Sequence, residues 1–105
     1  MTSGIDEIAE CLLLHTDYPL TAVVSLDDDG RILKVHLSDT YWRADSLRIA
    51  PSAREIWLIS HHPEGRKTPY EEDLRNLASI KGSVDGVSIR FFLASEYIGC
   101  IELFL

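Results

Sequence analysis

The sequence predicts an α/β fold: one domain spanning 1–105, with a mixed, partly antiparallel sheet flanked by helices. Three observations carry that expectation. The run Ile56-Trp57-Leu58-Ile59 is apolar throughout, which reads as a strand covered on both faces at the centre of a sheet. Two hairpin patterns stand on either side of it, and helical patterns separate the strands. The chain has 105 residues, the size of one domain, and 46% of them are apolar, enough for a core of its own.

The elements follow in order. Residues 3–15 read as a helix, with Ser3 as N-cap and Ile5, Ile8 and Leu12 on one face. The stretch His15-Thr16-Asp17-Tyr18-Pro19 ends it. A hairpin comes next: a strand at 20–26, a turn at Asp27-Asp28-Asp29-Gly30, and a return strand at 31–37. Asp and Gly both tolerate positive φ, so Asp-Gly marks the turn. The tripled Asp lacks the alternating spacing and distal Glu of an EF-hand, which leaves the turn reading in place. The return strand alternates, with Ile32, Lys34 and His36 on one face and Leu33, Val35 and Leu37 on the other.

Residues 38–43 read as a polar loop, and 44–50 as a short helix stopped by Pro51. The central strand follows at 55–60, then a loop marked by Pro63 and Gly65. Thr68-Pro69-Tyr70-Glu71 reads as a capping box with Thr68 as N-cap and Pro69 at the first helical position. That helix is expected to run to about Ile80 on a stripe of Leu74, Leu77 and Ile80, with Lys81-Gly82-Ser83 closing it. Strands at 87–94 and 97–105 complete a last hairpin about Ser95-Glu96. The predicted order is α-β-β-α-β-α-β-β.

Charge and cysteine content exclude several classes. The net charge of -7 opposes broad contact with phosphate backbones, so no nucleic-acid partner is expected. Cys11 and Cys100 form no Cys-x-x-Cys pair, which removes a thiolate zinc knuckle and a redox motif. Two isolated cysteines read as reduced thiols, and the N-terminus lacks the basic and apolar regions of a secretory signal. No apolar run approaches the ~20 residues of a membrane span. A cytoplasmic protein without membrane contact is the expectation.

The chemistry concentrates in Ser60-His61-His62-Pro63-Glu64-Gly65-Arg66-Lys67-Thr68-Pro69-Tyr70-Glu71-Glu72-Asp73. Strand alternation places Ser60 and His62 on one face and His61 on the other. A His leaving a buried strand, with an acid early in the next helix, is the layout of a metal site. A plain structural role is also available, because a carboxylate in the first turn complements the helix dipole. Ser60, His62 and Asp73 are also the residue types of a nucleophile triad, but no nucleophile elbow holds the Ser. Trp57 and Cys100 read as core residues.

This stretch resembles the JAB/MPN metallopeptidase superfamily, and within it the RadC-type branch. The branch pattern is His-x-His-Pro-x-Gly, then Thr-Pro-Ser-x-x-Asp. His62, Pro63, Gly65, Thr68, Pro69 and Asp73 match it at the same spacing. Ser60 stands at the position of the first His, and Tyr70 at that of the Ser. The resemblance covers roughly 20–105 and implies a JAB/MPN fold of the cytidine-deaminase-like type.

In active members two His and one Asp hold zinc, and a Glu activates a bound water. Three ligands leave an open position, and zinc lowers the water pKa to about 7. A Ser hydroxyl is a poor zinc ligand beside imidazole, and Glu7, Glu10 and Glu55 do not stand where the family Glu should. The resemblance therefore implies a degenerate site, with His62 and Asp73 as remnant metal ligands, Ser60 at the lost His position and no catalytic residue. No cofactor is expected; zinc is the one candidate. The implied function is a non-catalytic domain that binds a protein or peptide through the old groove, along a rim of Tyr41, Trp42, Arg66 and Tyr70. One alternative is a zinc-dependent metallopeptidase or isopeptidase with a rearranged ligand set that uses His61. Another is a RadC-like DNA-repair accessory protein, which the acidic balance opposes.

Overall fold

The computed structural model describes residues 20–39, 49–65, 67–95, 97 and 99–104. These form β1 (Leu20–Leu26), β2 (Ile32–Asp39), β3 (Glu55–His61), α1 (Glu71–Ser83), β4 (Ser88–Ser95) and β5 (Gly99–Leu103). The sheet order is β2-β1-β3-β4-β5. β1 runs antiparallel to β2 and β3, β4 runs parallel to β3, and β5 returns antiparallel to β4. The five-stranded mixed sheet and the central place of β3 agree with the sequence reading. The helix expected at 3–15, Cys11, His15, residues 40–48 with Tyr41 and Trp42, and Arg66 lie outside the described residues. Residues 49 and 50, expected to end a helix, are not helical. Among the described residues no helix is long and apolar enough to cross a membrane.

The first hairpin is closed by one side chain. Asp27 Oδ1 accepts the N–H groups of Asp29 and Arg31, each at 2.9 Å. Gly30 adopts φ 79°, which an L side chain would strain against. β3 is buried on both faces, as its unbroken apolar run demands. Ile56 and Leu58 pack with Val23, Phe91, Leu93, Leu77 and Ile80 on the α1 side. Trp57 and Ile59 pack with Ala22, Val24, Leu26, Phe92 and Ala94 on the opposite side. Trp57 meets Phe92 edge to face at 6.3 Å, and its indole N–H donates to Glu55. Cys100 is half-buried against this second cluster, in line with its expected core role.

Two local expectations are corrected. The helix begins two residues later than the Thr68-Pro69 signal implies: its N-cap is Tyr70, and Asp73 at the third helical position accepts the Tyr70 N–H at 2.8 Å. Asp73 can hold that position because the sheet fixes its carboxylate, and this tertiary anchor outweighs the local Thr-Pro signal. Second, Leu74 is exposed at 46%, while Asp73 and Asn76 face inward with Leu77 and Ile80. Positions 73, 76, 77 and 80 share one helical face, and 74 lies a step around it. The helix also continues through Ser83. In β2, Ile32, Leu33, Val35 and Leu37 are exposed and His36 is half-buried. β2 is an edge strand of the sheet. Leu33 is the extra residue of a bulge, because Ser25 pairs with Lys34 and Leu26 with Ile32.

On the face of β4 and β5 opposite α1, Arg90 makes a two-pronged pair with Glu102 at 2.7 and 3.0 Å and lies over the Phe92 ring. The Arg90 hydrogen bond holds the Glu102 carboxyl below its usual range, and that bond raises Arg90 in turn. A carboxyl lowered by folding adds stability above its unfolded pKa, near 4.3, and loses it as pH falls through the lower folded value. Glu102→Gln is therefore expected to cost up to about 1 kcal/mol near neutral pH. The gap from wild type should close as pH drops through the acid range. Denaturant melts across pH check this; a gap that widens in acid would contradict the pair's role.

Candidate functional site

The site is built where β3 ends. Strand alternation carries Ser60 and His62 to the α1 side, and the His62 N–H extends the parallel ladder by bonding Ala94 O at 2.9 Å. The chain then turns at Pro63-Glu64-Gly65. The Gly65 N–H donates to His62 O at 2.9 Å, and Gly65 holds φ 74°. A Cβ there would stand 3.0 Å from the Tyr97 Cβ, so both conformation and space require glycine. The segment 67–70 leads back to the start of α1, which places Asp73 over the end of β3.

Asp73 is the hub. Ser60 Oγ donates to Asp73 Oδ1 at 2.5 Å, and His62 Nε2 lies 2.8 Å from Oδ2. Oδ2 also takes the Tyr70 N–H at 2.8 Å. If Asp73 is a carboxylate, which only accepts, the tautomer that makes this bond carries its proton on Nε2. Ser60 and His62 are 0% exposed and Asp73 is 1% exposed. The Tyr70 ring packs on the His62 ring with centroids 4.0 Å apart, and the Tyr70 hydroxyl donates to Glu64. The location is the carboxyl end of two parallel strands beside a helix N-terminus, where α/β sheets commonly place their sites. Glu71, Glu72 and Asp73 in the first turn all complement the helix dipole.

The structure therefore brings Ser60, His62 and Asp73 together and puts Tyr70 over them. His61 goes the other way: it belongs to β3, is buried, and lies on the Trp57 and Ile59 side of the sheet. It therefore faces away from the sheet side that carries His62 and Asp73. Glu55 sits at the far end of β3 and accepts the Trp57 indole N–H, so it is not a base for this site. Among the described residues no group of three or more His, Cys, Asp or Glu side chains could hold a metal ion. The arrangement is not a nucleophile triad either. Ser60 donates its proton to the carboxylate rather than to the imidazole, and it lies in a strand rather than on an exposed turn.

Sequence reasoning did not find the polar residues around this hub. Thr21, which pairs with Ser60 across β1 and β3, is buried, as are Asn76 and Ser95. Asn76 was accessible to reasoning, since it lies three residues from Asp73 on the same helix face. Thr21 and Ser95 come from other strands and carry no local signal. Comparison with known proteins finds no matching family model, no matching curated protein and no matching solved structure.

A buried carboxylate is stable only when its oxygens are filled, and losing one partner exposes the full desolvation cost. Ser60→Ala is expected to cost about 1–3 kcal/mol, because it strips one donor from a buried acceptor. Asp73→Ala should cost about 3–5 kcal/mol, since it leaves three donors without their acceptor. Urea melts measure both. Losses below those for Leu74→Ala on the exposed side of α1 would show that the hub contributes nothing to stability.

Proposed function

We propose that this chain is a non-catalytic domain of the JAB/MPN type, and that it serves as a protein-binding module. One observation carries the reading: Ser60 occupies the first-His position and spends its proton on Asp73. The resemblance assigns His62 and Asp73 as two metal ligands, and they meet at 2.8 Å. The third ligand position holds a neutral hydroxyl that donates a hydrogen bond. Zinc needs at least three donor ligands from protein in a catalytic site, typically imidazole, carboxylate or thiolate. This set offers one imidazole and one carboxylate, already spent on each other, so the residues present do not fit the metal. The hydrogen bonds do the structural work that a metal would do in an active relative, tying the end of β3 to α1.

The surroundings support binding rather than chemistry. The loop at 62–70 packs Tyr70 onto His62, and Tyr97, 71% exposed, covers Gly65. Aromatic side chains of this kind anchor protein interfaces. A groove shaped for an extended peptide can keep that use after its metal is lost. Trp42, Tyr41 and Arg66 extend the rim in this proposal. A cytoplasmic setting and a protein partner rather than nucleic acid belong to the same reading, in keeping with the net charge of -7.

Zinc calorimetry on chelator-free protein tests the reading. Wild type is expected to show no tight site, and Ser60→His to gain zinc affinity by rebuilding two imidazoles at i, i+2 on one strand face. Tight one-to-one zinc on wild type, lost in His62→Ala, would make the site a live metal centre. Absence of any gain in Ser60→His would show that β3 does not aim its side chains as the family pattern requires. For the binding half, Tyr97→Ala and Trp42→Ala should abolish capture of a partner by the wild-type protein with unchanged melting curves. Capture that survives both changes places the interface elsewhere.

A further inference from the structure

Toward the other end of α1 from Asp73 lies a cavity of about 190 Å³. Leu77, Ile89, Phe91 and Leu103 line it, all from the apolar cluster on the α1 side of the sheet. Lys81 borders it from the last turn of α1. That lysine lies roughly two helical turns beyond Asp73, about 12 Å along the axis. The cavity is therefore separate from the Ser60–Asp73–His62 cluster and does not depend on how that cluster is read. Phe104 also borders it and is 89% exposed. A bare phenyl beside an apolar hollow leaves surface that a second apolar group would cover.

The charges around the cavity are uneven. Arg90 and Glu102 border it too, but their two-pronged pair neutralises both. Lys81 is exposed, and among the described residues no carboxylate pairs with it. An apolar hollow thus carries one uncompensated positive charge at its rim. We propose that this cavity binds a small aromatic monocarboxylate, with the ring among Leu77, Ile89, Phe91 and Leu103 and the carboxylate on the Lys81 ammonium. Size sets the body of the ligand. A cavity of about 150 Å³ lined by Leu, Ile and Phe holds benzene. The present volume of about 190 Å³ leaves room for a ring and a short chain. Charge sets the head. A lone ammonium is a point charge that matches one carboxylate. Its four-carbon stem lies along apolar surface and keeps the charged end at the rim. A phosphate would want more donors than Lys81 alone offers, and the net charge of -7 disfavours a dianion.

Titration of nitrogen-15-labelled protein with 3-phenylpropionate, followed by amide shifts, tests the proposal. Wild type is expected to saturate, with the largest shifts at Leu77, Lys81, Phe91 and Leu103. The uncharged 3-phenylpropanamide, of the same shape, should bind about two- to fivefold more weakly, the worth of one exposed ion pair. Propionate, which lacks the ring, should give no saturable shift. Lys81→Gln should weaken phenylpropionate by the same factor and leave the amide unaffected. Its melting curve should match wild type, because Lys81 is exposed. Lys67→Gln, at an exposed lysine in the loop before α1, should bind like wild type. No saturation in wild type, equal affinity for acid and amide, or saturation by propionate would each overturn the proposal. So would unchanged phenylpropionate binding in Lys81→Gln, an equal loss in Lys67→Gln, or shifts centred on His62.

Discussion

The described part of this domain depends on one buried carboxylate. Asp73 joins three pieces of chain: the end of β3 through Ser60 and His62, the loop through the Tyr70 N–H, and α1 through its own backbone. A buried charge is costly by itself. It is tolerated here because each oxygen has a donor, and each donor comes from a segment that must be brought into place. The hub therefore specifies where α1 starts and how β3 ends. Leu77 and Ile80 pack the rest of the helix against the sheet.

That dependence explains which parts of the structure were legible in the sequence. The β1–β2 turn was readable because Asp27 and Gly30 act on neighbouring backbone groups. The central strand was readable because an unbroken apolar run has few other uses. The meeting of Ser60, His62 and Asp73 was readable from strand alternation together with the family pattern. The helix start was not. Thr68-Pro69 is the better local signal, but the true N-cap is Tyr70, a residue with no capping habit of its own. A carboxylate clamped by another element decided the matter, and no local window contains that information. Leu74 misled for the related reason that an apolar residue announces burial but not which partner supplies it.

The same geometry separates two roles that a short motif mixes together. His62-Pro63, Gly65 and Asp73 can serve a metal, or they can serve a turn between a strand and a helix. Gly65 is required by backbone shape and by Tyr97 whether or not a metal is involved. Asp73 is required by the helix start in the same way. What distinguishes the roles is the residue at 60. An imidazole there would offer a lone pair to a shared ion. A serine offers a proton, which gives Asp73 Oδ1 a donor.

The most direct test of that arrangement is the state of the His62 imidazole nitrogens, read by nitrogen-15 NMR with and without added zinc. The account predicts that Nε2 carries a proton directed at Asp73 and that its resonance does not move when zinc is added. A deprotonated Nε2, or a resonance displaced in proportion to bound zinc, would contradict it and show that the carboxylate and imidazole are held for a metal.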